Sequence, residues 1–282
     1  MNVTALQPGS KVGGYEVKRL LGAGGFGMTY EGFNPITRNR VAIKELFPKG
    51  IVSRQGATII IGDQRDRQVF QSVLKKFEDS TTKLAQLSHP NIVKVFDYIP
   101  GNNTGYMMME YIEGDILAGR LEKFPSRALP SEAEFARVFQ PILDALAYVH
   151  ANNLIHRDIS PDNIMIDRTG RPVLIDFGAF KEMDQTNRAS TLMVAREAYA
   201  PPEQGVVDGI AHMPYTDVYA LGATMYETLA GEPPARAAKR VFVKTDPYVP
   251  LAQKAKIPLS PALSAAIDRC LRLAAEERPQ SI

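Results

Sequence analysis

The sequence predicts an α+β fold in two parts: a β-rich first part with one main helix, and a larger, mainly helical second part. Short runs rich in β-branched and aromatic residues, separated by Gly or Asn-Pro turns, fill most of the chain up to about residue 110. After Gly114 the apolar residues recur with helical spacing instead. With 282 residues the chain is long enough for two lobes and a substantial core.

The first part contains five predicted strands, a hairpin and a helix. The strand runs are "GYEVKRLLG", "MTYEGFN", "RVAIKELF", "IVKVFDYI" and "GYMMMEYI". "IVSRQGATIII" predicts a further hairpin with Gln55-Gly56 at its turn. Between residues 64 and 87 the apolar positions have helical spacing, and His89-Pro90 ends the predicted helix.

The second part contains three clear helical segments. The first begins with Ser131 as N-cap and Glu134 three residues later, a capping-box pattern, and its interior Pro141 predicts a kink or a break. "TDVYALGATMYETLAG" is apolar nearly all round, which predicts a buried helix. "SPALSAAIDRCLRLAA" predicts a late amphipathic helix.

Composition and charge exclude several classes of protein. A net charge of +2 gives no general case for nucleic-acid binding. The single cysteine, Cys270, excludes an internal disulfide and favours a reducing, cytoplasmic compartment. The N-terminus lacks the apolar core of a signal peptide, and no run approaches the ~18 apolar residues of a membrane span. We therefore expect a soluble segment without membrane contact.

The stretch "LGAGGFGMTYEG" carries a G-x-G-x-x-G spacing at Gly22, Gly24 and Gly27. Glycines let the backbone approach a phosphate that a Cβ would obstruct. A dinucleotide-binding site needs a helix after the glycines. A β-type run follows here instead, so a dinucleotide-binding site is disfavoured. A flexible hairpin without a ligand remains the alternative for this motif alone.

Three further motifs follow in order. "VAIK" places Lys44 in an apolar strand, and "HRDISPDNIMI" sets Asp158 and Asn163 five residues apart. "IDFG" then places Asp176 after an apolar run, where a carboxylate suits a metal ligand. Each residue alone is more simply a surface lysine or a solvated turn residue. All four motifs in this order do not coincide by chance.

Together these motifs resemble a eukaryotic-type (Hanks-type) protein kinase domain of the serine/threonine branch, of a kind related to bacterial members, from about Tyr15 to the last residue. The resemblance implies that the glycines cover the ATP phosphates, Lys44 pairs with them, Asp158 is the catalytic base, and Asn163 and Asp176 hold magnesium. "MEYIEG" resembles the hinge, with Met109 as gatekeeper. The implied nucleotide-binding residues are Leu21, Gly22, Gly24, Gly25, Gly27, Thr29, Ala42, Lys44, Glu110, Ile112, Asp115 and Met165.

The resemblance also implies a domain organisation. Residues 1–109 would form the nucleotide-binding N-lobe, 110–115 the hinge, and 116–282 the C-lobe with the catalytic loop and activation segment. The chain stops four residues after Arg278, where the family continues into another helix. A trimmed domain is expected, with a possible downstream regulatory domain.

Later markers of the family are structural. "YAPPEQ" resembles the end of the activation segment, and Asp217 would bind the backbone around His156 and Arg157. Arg278 would pair with Glu203, and breaking a buried pair of that kind costs ~3–5 kcal/mol.

Ser160 departs from the family pattern, which has a lysine at this position. The lysine's usual threonine partner corresponds, counting back from Glu203, to Arg196. We hypothesise that the cation has moved, so that Arg196 supplies the charge and Ser160 a hydroxyl to the transferring phosphoryl. A solvent-facing Arg196 is the simpler alternative. The "AAR" form of this loop in tyrosine kinases does not match "SPD".

The helix residue expected to pair with Lys44 is a second departure. Counting back from His89 places Ser80 where active kinases have Glu. Either the helix is shifted so that Asp79 serves, or Lys44 lacks its usual partner. Glu45 is a poor substitute, because it lies on the opposite strand face.

The sequence also indicates how phosphorylation would control the domain. Arg157 before Asp158 is associated in the family with a phosphorylated activation segment, and Ser190, Thr191 and Thr186 are the candidate hydroxyls. Ordinary polar loop residues are the alternative.

Three functions remain at this point. The motifs favour an active kinase that uses Mg-ATP and a protein serine or threonine hydroxyl. Ser80 and Ser160 favour a pseudokinase interaction module with little transfer. A small-molecule kinase is disfavoured by "YAPPEQ" and Asp217, which build a platform for protein substrates.

Overall fold

The computed structural model describes residues 5–178, 197–207 and 209–282. These residues divide into two compact units. The first contains residues 5–88 and 93–112, and the second contains residues 89–92 together with the described part of the chain after residue 112. The first is mainly β-sheet with one long helix and the second mainly helical, so the predicted α+β class is confirmed.

An antiparallel sheet dominates the described part of the first unit, with strand order β1-β2-β3-β4-β8-β7. Directly opposite residues share a face, so Thr29, Lys44 and Met107 lie on what we call the front face. Tyr30 and Ile43 lie on the rear face and are fully buried. The strands are β1 Lys11–Val12, β2 Tyr15–Ala23, β3 Gly27–Phe33, β4 Arg40–Leu46, β7 Val95–Gly101 and β8 Thr104–Glu110.

A hairpin and a helix follow β4. Strands β5 (Val52–Gln55) and β6 (Thr58–Ile61) form the predicted hairpin, and Gly56 has the positive φ of +61° that its turn requires. Helix α1 covers Gln64–Ala85, as the spacing predicts, and the Asp63 side chain caps it. Its buried side chains are Phe70, Val73, Phe77, Thr81 and Leu84.

Helices and a small antiparallel sheet of order β11-β10-β9 form the described part of the second unit. The sheet supports the loop that carries Asp158 and Asn163, because β10 begins directly after Asn163. The elements are β9 Gly114–Ile116, α2 Leu117–Leu121, α3 Glu132–Ala151, β10 Ile164–Asp167, β11 Pro172–Leu174, α4 Pro214–Ala230, α5 Ala237–Val241, α6 Leu251–Lys254 and α7 Pro261–Cys270.

Helix α3 excludes one of the two outcomes predicted for Pro141, the break. Ser131 caps it by accepting from the N–H of Glu134, whereas the Glu134 carboxylate pairs with Arg137. The helix runs through Pro141 without the break that the proline suggested. One missing N–H is outweighed by apolar burial on both sides of it. The buried side chains are Phe135, Val138, Phe139, Ile142, Ala145, Leu146 and Val149.

Helix α4 is buried along most of its length, as its composition predicts. Gly222 lets it approach α7 closely, since a Cβ there would lie 2.6 Å from the Cβ of Cys270. Gly231, with a φ of +76°, ends the helix in the left-handed conformation. Within the described ranges, no helix combines the length and the apolar character needed to cross a bilayer.

Candidate active site

The glycine-rich segment forms the turn between β2 and β3 in the first unit. The N–H of Gly24 donates to the carbonyl of Gly27 across 2.8 Å. A Cβ on Gly27 would lie 2.4 Å from the carbonyl oxygen of Glu45, so a larger residue would displace backbone. A Cβ on Gly22 would meet nothing within 4 Å. The turn is tight on one side and open on the other, as a phosphate-covering loop requires.

Lys44 lies on β4, opposite Thr29 of β3. Its Cε is 3.9 Å from the position that a Cβ on Gly27 would take. The side chain therefore runs beneath the glycine turn on the front face. This places one cation where the sequence predicts contact with phosphates.

The remaining predicted nucleotide-binding residues of the first unit lie on β2, on β4, at the end of β8 and just after β8. Ala42 is opposite Met109, the expected gatekeeper, which is buried. The N–H of Glu110 donates to the carbonyl of Lys94 at 2.8 Å. Leu21 is 38% exposed, so an apolar side chain is available to a flat ligand. Ile112 is buried and ends this part of the first unit.

Helix α1 bears on the question of a partner for Lys44. Lys75 contacts both Glu78 (3.2 Å) and Asp79 (3.1 Å). The two carboxylate side chains are 44% and 53% exposed, so they lie on the solvent side of α1. This argues against Asp79 as the substitute partner. Ser80, at the position of the family's glutamate, is half-buried.

The catalytic-loop backbone of the second unit is held by one buried carboxylate. Asp217 of α4 accepts from the N–H groups of His156 and Arg157, both at 2.7 Å, as the resemblance implied. Arg157 has a φ of +64°, a strained conformation for a residue with a side chain. The His150 ring lies 2.8 Å from the same carboxylate, a contact that the sequence reading missed.

Asn163 bonds back to the main chain of Asp158 across a short turn. The amide nitrogen of Asn163 donates to the backbone carbonyl of Asp158 at 2.6 Å. That bond fixes the amide orientation and turns its oxygen away from the carbonyl. Ser160 is fully buried, and its hydroxyl has no hydrogen-bond partner among the described atoms.

The Asp-Phe-Gly segment packs against the same loop. The N–H of Ile175 donates to the carbonyl of Asn163 at 2.9 Å, and that of Gly178 donates to the carbonyl of His156 at 2.8 Å. A Cβ on Gly178 would lie 2.9 Å from the Cβ of Asp158. Asp176, between the two bonded residues, has a φ of +60°. The backbone therefore brings the two predicted magnesium ligands and the predicted base together within one unit.

Two predicted nucleotide residues lie on the small sheet of the second unit. Met165 of β10 is opposite Ile116 of β9. Asp115 is exposed and contacts Lys123 at 2.6 Å, and this hydrogen bond and charge lower the pKa of its carboxyl group. Asp115 thus stays ionised and able to accept from a hydroxyl group.

The later structural markers are also in place. Arg278 and Glu203 form the predicted ion pair at 2.7 Å, with both side chains fully buried. Thr216 donates a further hydrogen bond to Glu203 at 3.0 Å. Tyr199, in "YAPPEQ", bonds the carboxylate of Glu227, which no motif had indicated.

Several predicted residues lie outside the described part of the chain. They are Arg196 and the three candidate phosphorylation sites Thr186, Ser190 and Thr191. The Ser160–Arg196 hypothesis and the phosphorylation hypothesis therefore stay predictions.

The donor set fits magnesium-bound nucleotide. Among the described residues no group of three or more His, Cys, Asp or Glu side chains could hold a metal ion by itself. Magnesium in phosphoryl-transfer sites, however, takes one or two protein oxygens and completes its shell with phosphate and water. Asn163 and Asp176 would each contribute one oxygen to a shell of that kind.

The α+β fold and these motif residues are those of a phosphoryl-transferring domain. A family model described as the protein kinase domain matches residues 15–281. The chain therefore belongs to the protein kinase family.

Curated relatives indicate the serine/threonine branch. The serine/threonine-protein kinase PknA of Nostoc sp. is 30% identical over 277 residues, which is 94% of this chain and 44% of PknA. Aurora/IPL1-related protein kinase 2 of Caenorhabditis elegans is 32% identical over 82% of this chain and 69% of its own length. The chain thus spans less than half of PknA.

Solved structures support the same fold. PpkA-294 in its apo form has a TM-score of 0.85 and 32% identity, over 99% of this chain and 96% of that one. The PknI kinase domain of Mycobacterium tuberculosis has a TM-score of 0.68 and 26% identity, over 98% of this chain and 95% of that one.

Proposed function

We propose that this domain is an active serine/threonine protein kinase, which transfers the γ-phosphoryl group of Mg-ATP to a protein hydroxyl. The observation that carries the proposal is the packing of Asp176 and its neighbours against the loop of Asp158 and Asn163. A scaffold that transfers no phosphoryl group needs none of these side chains.

In this proposal some residues bind the nucleotide and its metal, and one accepts the proton of the substrate hydroxyl. Bound Mg-ATP supplies the phosphoryl group and the metal charge that neutralises its oxygens. Lys44 and the backbone of the glycine turn would hold the phosphates, and Asn163 and Asp176 would hold the metal. Asp158 would align the incoming hydroxyl and accept its proton. Asp217 keeps this loop in register through the N–H groups of His156 and Arg157.

The site of action and the partners are part of the same proposal. The need for ATP and the single cysteine favour the cytoplasm. The substrate would be a protein with an accessible serine or threonine. A regulatory domain elsewhere in a longer chain would accord with relatives such as PknA, of which this chain covers 44%.

Asp158→Asn tests the proposal. We expect transfer of labelled phosphate from Mg-ATP to a generic protein substrate to fall about 10²–10⁴-fold, because the proton acceptor is lost. Asp144→Asn, an exposed change on α3, is the matched control and leaves transfer unchanged. Equal transfer by wild type and Asp158→Asn would replace the enzyme by the pseudokinase alternative.

We further propose that Arg196 supplies the cation that Ser160 cannot. Arg196→Ala should lower kcat more than it raises the KM for ATP, since the charge acts on the transferring group. Unchanged turnover in an otherwise active enzyme would end that idea.

Phosphorylation of Thr186, Ser190 or Thr191 is the regulatory part of the proposal. A phosphate there would add ~1.5–2 negative charges, with which the Arg157 guanidinium would pair. Mass spectrometry of active protein should find phosphate within residues 184–196. Active protein that carries no phosphate within these residues would refute the phosphorylation proposal.

A further inference from the structure

The segment between β4 and α1 forms an added layer on the rear face of the first unit's sheet. This segment, residues 47–63, is called the insert below, and it contains the β5–β6 hairpin. Ile59 of the insert is fully buried in the rear-face core with Val17 and Tyr30. Its N–H donates to the carbonyl of Asn102 at 2.9 Å, which ties the hairpin to the β7–β8 turn.

An ion pair is buried beneath the insert. The guanidinium of Arg54 on β5 bonds the carboxylate of Glu45 on β4 at 2.5 Å, and the two side chains are 1% and 0% exposed. The hydroxyls of Tyr30 (2.8 Å) and Tyr106 (3.1 Å) also donate to Glu45. Burial and the Glu45 charge raise the pKa of both tyrosines, so the hydroxyls stay protonated donors. Glu45 directly follows Lys44 in the chain.

A buried ion pair is a poor way to gain stability alone. Desolvation of the two charges offsets most of their attraction, and apolar residues of similar volume often stabilise a core as well or better. What such a pair adds is a defined geometry, because the planar guanidinium fixes the angle at which its partners meet.

The insert reaches the glycine turn through two backbone hydrogen bonds. Phe47 donates its N–H to the carbonyl of Phe26, and Lys49 donates to the carbonyl of Gly25, each at 2.9 Å. The guanidinium of Arg54 lies over the Phe47 ring, 5.0 Å from its centroid. The ion pair, the start of the insert and the glycine turn are thus in continuous contact within one unit.

We propose that Glu45 and Arg54 are positioning residues for the phosphate-covering glycine turn. Their ion pair seats the insert, and the insert holds the carbonyls of Gly25 and Phe26 so that the glycine backbone faces the nucleotide. Neither side chain touches substrate or nucleotide. The proposal rests on the proposed function only in taking ATP as the ligand of this turn.

Three variants separate positioning from simple stability. Arg54→Met cuts the link and leaves Glu45 buried and unpaired. The double variant Glu45→Gln with Arg54→Met removes both charges. The amide oxygen at position 45 accepts from one tyrosine hydroxyl and the NH2 group donates to the oxygen of the other, so the thermal midpoint recovers although the link stays cut. Arg54→Lys keeps the charge without the planar fork. Lys18→Met, which removes an exposed partner of Glu16, is the control within the same unit.

Three measurements are made on each variant: thermal midpoint, steady-state kinetics against ATP, and amide hydrogen exchange of residues 47 and 49. For Arg54→Met we expect the KM for ATP to rise roughly tenfold, equivalent to about 1.4 kcal/mol, with kcat little changed. Exchange at residues 47 and 49 should accelerate. The double variant should keep the raised KM and fast exchange, Arg54→Lys should be intermediate, and Lys18→Met should match wild type.

Two results would overturn the proposal. In the first, KM and exchange recover together with the thermal midpoint in the double variant. In the second, the midpoint falls in Arg54→Met while KM and exchange stay at wild-type values. If Arg54→Met does not fold, the double variant and Arg54→Lys carry the same comparison. Hydrogen exchange, and titration with a non-hydrolysable ATP analogue, need no phosphoryl transfer. A wild type without activity would therefore refute the proposed function and leave this test intact.

Discussion

Among the residues that the structure describes, each unit buries an arginine–glutamate pair, and the two pairs are built differently. Arg278 and Glu203 of the second unit are both 0% exposed, and Arg54 and Glu45 of the first are 1% and 0% exposed. The second-unit pair follows from a motif in the sequence, whereas the first-unit pair does not. Two ion pairs that are equally buried therefore need not have the same structural role.

The other hydrogen bonds of each pair explain the difference. Arg278 also donates to the backbone carbonyls of Arg272 and Leu273, both at 2.7 Å, and to that of Tyr215 at 3.3 Å. It thereby closes the last described stretch of chain onto the start of α4. The extra bonds to Glu45 come from side-chain hydroxyls, and Arg54 reaches the carbonyl of exposed Ala57. We infer that the Arg278–Glu203 pair locks backbone, whereas the Arg54–Glu45 pair seats the insert.

Arg278→Met should have the largest effect on stability. It leaves Glu203 buried and unpaired and removes the donor from three carbonyls, so we expect the free energy of unfolding to fall by about 3–5 kcal/mol. Chemical denaturation followed by far-UV circular dichroism measures this. A loss near that of an exposed pair would contradict the backbone-locking role.

A second substitution sharpens the comparison. Replacing the glutamate by glutamine in an arginine-to-methionine background removes the unpaired charge. For Glu45 and Arg54 we expect stability to return to within about 1 kcal/mol of wild type, since removing both charges of a buried pair is often neutral. For Glu203 and Arg278 we expect the free energy of unfolding to stay about 2 kcal/mol or more below that of wild type, because the three backbone carbonyls that Arg278 bonds still lack a donor.

The same denaturation experiment decides between these expectations. If both double variants recover equally, the backbone bonds of Arg278 contribute little and the two pairs are equivalent. If neither recovers, the charge of the remaining glutamate was not the source of the loss.

The sequence predicts one of these pairs and misses the other for a physical reason. Arg278 and Glu203 occur in motifs with fixed positions, so their pairing needs no knowledge of packing. Strand alternation correctly places Glu45 on the face opposite Lys44. The alternation of side chains along a strand, however, does not indicate which later segment of the chain covers that face. The partner, Arg54, comes from a hairpin whose docking depends on tertiary contacts.

The candidate site shows the same division. Local patterns predict the glycine turn, the β5–β6 hairpin and α1, because turn residues and periodicity act over a few positions. They do not decide between a kink and a break at Pro141, where burial on both sides of the proline keeps α3 continuous. They also miss His150, whose contact with Asp217 spans 67 positions in the chain.

A partly exposed pair extends the comparison to intermediate burial. Asp167 of β10 contacts Arg171 at 2.9 Å, with side chains 14% and 37% exposed. Burial tends to raise the pKa of Asp167, but hydrogen bonds from Thr169 and Arg171 outweigh it and lower the pKa well below its usual range. At pH 7 we expect Asp167→Asn to lower the free energy of unfolding by about 1 kcal/mol.

The dependence on pH gives this prediction its sign. A carboxyl whose folded pKa is lowered stabilises the fold fully above its unfolded pKa of about 3.9 and loses that contribution as pH falls toward the folded value. Wild type and Asp167→Asn should therefore differ at pH 7 and converge below about pH 4. Urea unfolding between pH 7 and pH 3, with Asp144→Asn as control, measures the gap. A gap that widens in acid would contradict the assignment.

The exposed pair of Arg168 and Glu113 should give the smallest effect. The two side chains meet at 2.6 Å but are 78% and 36% exposed, so water competes for both charges and side-chain ordering costs entropy. Arg168→Met should change the free energy of unfolding by no more than about 1 kcal/mol, and 0.5 M salt should reduce even that. The distance matches that of Arg278 and Glu203, 2.7 Å. A loss as large as that of Arg278→Met would mean that contact distance, and not burial with its backbone bonds, determines what these pairs contribute.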